Sequence, residues 1–426
     1  MTAPTSSPTT SGPAASRRRL WFLAHLGPGL ITGAADDDPS GIGTYSQIGA
    51  QFGLGMLWTT VVSLPLAAAV EELAGRLGLC GRKGLAALIK QNLPAPALYI
   101  SATLVAAANI FNIGADLGSM AAALHLVVPL PVVALLITVS GLLLAAEVFL
   151  SYHRYARILR YTTLVLLSYI AVLAVVHVSW GAVVRNLIPQ LRWEPAYLAA
   201  LIAVFGTTIS PYLMYWQASE EVEEALDKNH VARQETRGAV RGMRIDVAAG
   251  MTAAVIVMFS IMVSTATTLN LNGITDVGTA DEAAQALRPF AGDLAGLLFA
   301  LGIIGTGALA IPVLAASTGY ALAETFGWHE GLSLTLRRGR AFYMIIAGSM
   351  LIGVALNFLG INPIKALVYS AILNGLAAPA LILFMLILGN RRTVIGRWRS
   401  RWLSNVLVGT ALVVMTGLPI AYLIHL

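Results

Sequence analysis

Three consecutive aspartates stand in the middle of an apolar segment near the amino terminus. Asp36, Asp37 and Asp38 are followed directly by Pro39. Proline lacks a backbone donor and disfavours helix at the residue before it, so a helix should break near Asp38. The break would leave free carbonyl oxygens beside carboxylates, which are ligands for hard cations. We therefore expect a cation site here, although Asp36 and Asp37 could instead cap the following helix or hold water in a vestibule.

A second apolar segment is interrupted in the same manner. Gly206, Thr207, Ser210 and Pro211 stand in its middle, followed by Tyr212. Unwound backbone at membrane depth is tolerated only where it lines a cavity or is buried in protein. Two interrupted segments in corresponding positions of two halves indicate inverted repeats with the binding site between them.

Polar residues at helical spacing mark a third segment. Asn109, Asn112 and Asp116 recur at intervals of three and four, which places them on one helical face. This face could line a permeation path or join helices through hydrogen bonds, and the spacing favours neither role. Asn374 is a weaker candidate for the same path.

The composition identifies the class of protein that carries these residues. Only 11% of the 426 residues are charged and 57% are hydrophobic, whereas soluble domains have about 25% charged residues. This excludes a soluble enzyme, a disordered protein and a nucleic-acid binder. The one cysteine, Cys80, excludes an intramolecular disulfide framework. We expect a polytopic, all-α membrane protein that is not an enzyme and holds no resident cofactor.

Eleven apolar stretches are long enough to cross a bilayer as helices. They lie near 21–50, 54–79, 96–128, 131–151, 158–180, 195–218, 245–269, 288–324, 341–359, 362–389 and 402–425. Continuous runs of this length do not fit a β-barrel. We predict a disordered cytoplasmic tail at 1–19, a first repeat at 20–180, a second at 181–389, and an additional helix within 390–426.

The basic residues predict the orientation of these spans, because cytoplasmic loops are enriched in Lys and Arg. With the amino terminus inside and eleven crossings, all but four of the 27 Lys and Arg residues fall on the cytoplasmic side. We therefore predict a multi-pass protein of the plasma membrane with a cytoplasmic amino terminus and an extracytoplasmic carboxyl terminus.

These motifs resemble those of the Nramp divalent-metal transporters over about residues 20–425. The string from Asp38 to Gly41 resembles the family's Asp-Pro-Gly-Asn, and Gly206 to Tyr212 resembles its Ala-x-x-Met-Pro-His segment. The resemblance implies a LeuT-like fold of eleven transmembrane helices, in which a 5+5 inverted repeat with broken helices 1 and 6 is followed by one extra helix.

The departures from the family pattern concern the metal ligands that the resemblance implies. Asp38 keeps the binding aspartate, whereas Gly41 stands in place of an asparagine, Thr207 in place of an alanine, and Ser210 in place of a methionine. A thioether suits transition metals, whereas hydroxyl and carboxylate oxygens suit Mg²⁺ and Mn²⁺. A roomier site lined by oxygen could accept Mg²⁺ with part of its water.

Further departures concern proton movement. Tyr212 replaces a histidine that the family links to protons, and Asn112 and Ala115 replace two acidic residues, although Asp116 could serve instead. Together these features resemble the Nramp-related magnesium transporter branch. The resemblance implies import of Mg²⁺, and of Mn²⁺, by alternating access without a proton. The residues expected around the ion or along its path are Asp36, Asp37, Asn109, Asn112, Asp116, Tyr212 and Asn374.

Three alternatives stay open at this stage. A proton-coupled Mn²⁺/Fe²⁺ importer keeps the family and changes the coupling. A Na⁺-coupled symporter of an organic solute keeps the fold, but a substrate carboxylate would meet three aspartates. An intramembrane aspartyl protease needs a Gly-x-Gly-Asp context that Asp116 lacks. The expected partners are divalent metal ions and lipid, without nucleic acid; a monomer is compatible with the sequence, which leaves the oligomeric state open.

Overall fold

The computed structural model describes residues 28–149, 166–227, 235–332 and 334–425, and every regular element within them is a helix. Helices α1 to α8 are Pro28–Asp36, Pro39–Phe52, Trp58–Gly81, Leu85–Asn92, Ala95–His125, Val132–Phe149, Leu167–Val175 and Trp180–Arg185. Helices α9 to α18 are Pro195–Thr208, Pro211–Asp227, Glu235–Thr268, Ala280–Gln285, Arg288–Ala291, Ala295–Phe326, Arg340–Leu356, Pro363–Asn390, Arg392–Ile395 and Trp402–His425.

The described residues contain 8 helical segments that are long and apolar enough to cross a membrane. The number is 9 if α2 and α3, which meet at 110°, are counted as one bent span. Residues 158–165 of the predicted span 158–180, and the whole predicted tail 1–19, lie outside the described residues. Eleven crossings therefore stay a prediction, as do the repeat boundaries and the orientation.

Helix α5 packs against α14, α15 and α16. Helix α2 packs against α11, and α10 packs against α3. In the predicted inverted repeat, the first span corresponds to the sixth and the second span to the seventh. Helices α2 and α11 belong to the first and seventh spans, and α10 and α3 belong to the sixth and second. The repeat therefore relates one pair to the other. The packing thus has the pairing that an inverted repeat requires.

The distribution of polar and apolar side chains is that of a membrane protein. Large apolar side chains such as Leu142, Met344 and Leu351 are exposed on the outside of the bundle. In contrast, Asp38 and Asp116 are buried inside it. Lipid can cover an apolar exterior, whereas ionisable residues within membrane spans face the interior of the bundle and serve function.

Candidate functional site

The first helix break lies where the sequence predicts it. Helix α1 ends at Asp36 and α2 begins at Pro39, so Asp37 and Asp38 form the connection. Asp38 is extended and caps α2, because its Oδ1 accepts hydrogen bonds from the Gly41 amide at 2.7 Å and from the Ser40 hydroxyl at 2.8 Å. A side-chain acceptor at this position satisfies an amide that the helix start leaves without a partner.

The second break is also confirmed, between the end of α9 at Thr208 and the start of α10 at Pro211. The Ser210 hydroxyl donates to the carbonyl oxygens of Gly206, at 3.0 Å, and Thr207, at 2.7 Å. It thereby provides a donor for carbonyl groups that the helix end would leave free. The lone pairs of the Ser210 oxygen are not used by these bonds, so the oxygen can still accept a hydrogen bond or a cation.

The two breaks face each other in the middle of the bundle. The Ser40 and Thr207 hydroxyl oxygens are 3.4 Å apart, and the Tyr212 hydroxyl donates to the Ala35 carbonyl at 2.8 Å. A Cβ atom on Gly41 would lie 3.1 Å from the Asp36 carbonyl oxygen and 3.5 Å from Thr207 Oγ1. Any longer side chain at residue 41 would therefore project between the breaks, and glycine leaves this place open.

Asn112 connects the first break to two other helices. Its amide nitrogen donates to Asp38 Oδ2 at 3.0 Å and to Asp116 Oδ2 at 2.9 Å, and its oxygen accepts from Asn374 at 3.0 Å. Asn109 is directed elsewhere and donates to the Leu314 carbonyl and the Thr318 hydroxyl of α14. The predicted polar face thus divides, because Asn112 and Asp116 reach the site while Asn109 joins two helices.

The three adjacent aspartates do not converge on one point. Among the described residues, no three His, Cys, Asp or Glu side chains are placed to hold a metal ion together. Asp38 already accepts three hydrogen bonds, and a carboxylate has about four lone-pair positions. A cation here would therefore meet one carboxylate together with hydroxyl and carbonyl oxygens, or their bound water, rather than a cage of acidic side chains.

The backbone adds to the negative potential at this point. Helices α1 and α9 both end at the site, and the carboxyl end of a helix has a partial negative charge. Asp38 offsets the positive end of α2 directly. The combination of two helix carboxyl ends with buried carboxyl groups favours a cation over an anion.

Several residues at or near this site are not among those that the sequence motifs predict. Ser40 holds the Asp38 carboxylate, and Tyr45 bonds the Thr208 hydroxyl at 3.0 Å. Glu71 of α3 is a further buried acid in this part of the bundle, besides those at positions 36, 37, 38 and 116. Glu71 lies within the predicted span 54–79, and an ionisable residue inside a span is a sequence signal that would have identified it.

The Nramp family, described as natural resistance-associated macrophage protein-like, matches residues 29–425. The chain belongs to the Nramp family. It is 27% identical to the divalent metal cation transporter MntH of Acidiphilium cryptum, over 95% of this chain and 91% of that protein. It is also 27% identical to MntH of Deinococcus radiodurans, over 92% of this chain and 87% of the relative.

Solved structures confirm the fold of this Nramp-family chain. The manganese transporter of Eremococcus coleocola matches with a TM-score of 0.74 at 18% identity, covering 96% of this chain and 87% of that one. MhsT, in complex with L-phenylalanine, matches with a TM-score of 0.63 at 14% identity, covering 94% of this chain and 98% of MhsT. The LeuT-like architecture that the resemblance implies is therefore confirmed.

Proposed function

We propose that this Nramp-family chain is a divalent metal cation transporter that imports Mg²⁺ and Mn²⁺ by alternating access without a coupled proton. The observation that carries the proposal is the single Asp38 carboxylate held between the hydroxyl and carbonyl oxygens of two helix breaks. The names of the MntH relatives and of the Eremococcus coleocola manganese transporter support the substrate class.

The chemistry of the ligands supports Mg²⁺ as a substrate. Asp38, Thr207 and Ser210 offer oxygen, and the glycine at residue 41 leaves room beside them. Mg²⁺ binds oxygen in octahedral geometry and gives up water reluctantly. One remaining carboxylate position and a few neutral oxygens suit an ion that keeps part of its hydration shell. Mn²⁺ accepts the same ligands.

The membrane potential alone can drive such import. Moving one charge through 100 mV releases about 2.3 kcal/mol, so a divalent cation releases about 4.6 kcal/mol. A coupled proton is therefore not required for net uptake into a cell with a negative interior. The interior-negative potential therefore sets the direction of net transport, which is into the cell.

Uptake into proteoliposomes, with a trapped pH dye and an imposed interior-negative potential, tests this proposal. We expect Mg²⁺ and Mn²⁺ to enter without acidification of the lumen, and Asp38→Ala to lose uptake. Empty liposomes and liposomes with Asp38→Ala serve as the two controls. Absence of Mg²⁺ uptake, or normal transport by Asp38→Ala, would contradict the proposal.

A proton-coupled Mn²⁺/Fe²⁺ importer is the second candidate, and one observation favours it. Asp116 is bonded through Asn112 to Asp38, and its Oδ1 has no hydrogen-bond partner among the described residues. A carboxylate in this position could accept a proton that a bound cation displaces from Asp38. This candidate predicts lumen acidification with metal entry, which Asp116→Asn would abolish. The same pH dye reports both outcomes.

The other two alternatives find less support in the geometry. The Asn112 amide stands between the carboxyl groups of Asp38 and Asp116, whereas an aspartyl protease needs its two carboxyl groups facing one substrate bond. An organic substrate with a carboxylate would be repelled by the buried acidic residues around both breaks.

A further inference from the structure

Glu71 of α3 is a buried carboxylate that the central site does not use. Its side chain is 1% exposed, and neither carboxyl oxygen has a hydrogen-bond partner among the described residues. Burial of an unpaired charge costs several kcal/mol. Ionisable residues with this placement in membrane spans mark the paths of ions. A cation that visits Glu71 would give its two oxygens the partner that the protein does not supply.

Asp36 and Glu71 flank the same part of α10. Ala35, next to Asp36, accepts from the Tyr212 hydroxyl at 2.8 Å. Gly75, one turn after Glu71 on α3, would place a Cβ atom 3.3 Å from the Gln217 amide nitrogen, so two negative charges at positions 36 and 71 would repel each other. Asp36 is also 1% exposed, and its Oδ1 has no partner among the described residues. Repulsion between like charges is strong where water is scarce. A divalent cation between the two groups would remove this repulsion, and carboxylate oxygens are the ligands that hard divalent cations take.

A chain of polar side chains continues from this pair along α10. Thr32, one turn before Asp36 on α1, donates to the Gln217 side-chain oxygen at 2.5 Å. The Gln217 amide nitrogen then donates to Glu221 Oε1 at 2.9 Å. Helix α10 runs from the second break toward the end of the bundle that is predicted to be cytoplasmic. The chain therefore leads away from the central site in the direction of export into the cell.

Helix α3 packs against α10 near Gln217. Gly75 lies one turn after Glu71, and a Cβ atom on it would be 3.3 Å from the Gln217 amide nitrogen. Residues four positions apart share a helical face, so Glu71 lies on the face of α3 that is directed toward α10. The neighbouring Glu72 differs, because Arg76 and Arg244 bind its carboxylate at 3.0 and 2.8 Å.

We propose that Asp36 and Glu71 form a second divalent-cation site, which lies between the central site at Asp38 and the predicted cytoplasmic end. An ion released from Asp38 binds there before it leaves along the Thr32, Gln217 and Glu221 side chains. This inference rests on the proposed function, since it takes Asp38 as the first binding position.

Binding of Mn²⁺ to the purified full-length chain tests the second site, because the paramagnetic resonance signal of free Mn²⁺ falls as the ion binds. We expect the wild type to bind one Mn²⁺ ion more than Glu71→Gln, and Glu71→Gln to keep the site that Asp38→Ala removes. In proteoliposomes, Glu71→Gln should lower the maximal Mn²⁺ uptake about tenfold, as loss of a supporting ligand commonly does.

Glu72→Gln is the matched control, since it removes a carboxylate from the next residue, where two arginines already neutralise it. It should keep the wild-type number of bound ions. Glu71→Gln is nearly isosteric and removes an unpaired charge, so it should unfold in detergent at a temperature no lower than that of the wild type. If it nevertheless fails to fold, Asp36→Asn makes the same comparison.

The outcomes separate the second site from the proposed function. If Glu71→Gln binds as many Mn²⁺ ions as the wild type and transports them equally fast, the second site is wrong, while uptake that depends on Asp38 would still support the function. If the wild type transports neither Mg²⁺ nor Mn²⁺, the function itself is wrong and the second site falls with it.

Discussion

At each break one helix ends and the next begins, and the two breaks use opposite chemistry to satisfy the free backbone groups. At the first break a helix begins, so free amide groups need an acceptor, and the Asp38 carboxylate accepts from the Gly41 amide. At the second break a helix ends, so free carbonyl groups need a donor, and the Ser210 hydroxyl donates to Gly206 and Thr207. The amide groups at a helix start thus accept a charged carboxylate as their partner, whereas the carbonyl groups at a helix end are satisfied by a neutral hydroxyl donor.

The two breaks therefore contribute differently to the site. The first break brings the negative charge that attracts a cation, because it holds the Asp38 carboxylate. The second contributes neutral oxygens and a rigid position, because Gly206 packs against Gly375 of α16 at backbone distance. We therefore expect changes at the first break to act mainly on cation binding, and changes at the second to act mainly on packing.

The largest effect should follow from Asp38→Asn. Asparagine also caps helices, so α2 keeps an acceptor for the Gly41 amide while the site loses its charge. We expect Mn²⁺ uptake to fall about 100-fold, equivalent to about 2.7 kcal/mol. Initial rates in proteoliposomes over a range of Mn²⁺ concentrations measure this loss. Uptake within twofold of the wild type would show that the charge of the first break is not what binds the cation.

Gly206→Ala should be the next largest change, and it should act through stability. A Cβ atom at residue 206 would lie 2.1 Å from the Ala371 carbonyl oxygen, so α9 would have to move away from α16. Overpacking of this kind costs about 1–3 kcal/mol. Thermal unfolding in detergent measures it, with Gly409→Ala as the control, because that Cβ atom would meet no neighbour within 4 Å. Equal stability of both variants would contradict a packing role for the second break.

The features that the sequence predicts well are those that a single residue imposes locally. Pro39 and Pro211 begin their helices, because proline has no amide hydrogen to offer the preceding turn and fits the first position of a helix. The low charge content likewise suffices to predict a helical membrane protein. None of this depends on which helices become neighbours.

Features that depend on neighbouring helices were beyond the sequence. The spacing places Asn109 and Asn112 on one face, yet α14 contacts the first, whereas Asp38 and α16 contact the second. In the same way, Glu71 and Glu72 are adjacent and identical in type. Only the packing of α3 separates the buried, unpartnered carboxylate from the one that arginines bind.

Thr207→Val should have a smaller effect, and it tests whether the second break supplies a neutral oxygen to the cation. Valine keeps the shape of threonine and removes the hydroxyl that lies 3.4 Å from Ser40. Loss of one such polar contact is worth about 0.5–1.5 kcal/mol, so the apparent affinity for Mn²⁺ should weaken about two- to tenfold. Thr208→Val is the control, because its hydroxyl bonds Tyr45 and the Val204 carbonyl instead. Equal losses for the two variants would contradict a direct role for Thr207.

Tyr212→Phe should have the smallest effect, and it asks whether the second break moves protons. The phenol donates to the Ala35 carbonyl at 2.8 Å and so joins the two breaks. Phenylalanine keeps the ring and removes this one bond, which costs about 1 kcal/mol. A phenol keeps its proton at neutral pH, so it offers no titrating group for coupled transport. We therefore expect uptake to change by less than about fivefold, which is the change in affinity that about 1 kcal/mol would produce if all of it acted on binding. The pH dependence should be that of the wild type. If Tyr212→Phe instead altered the pH dependence of uptake, the tyrosine would have taken over the role of the family's histidine. The second break would then carry a titrating group, and the contrast between a charged first break and a neutral second break would be wrong.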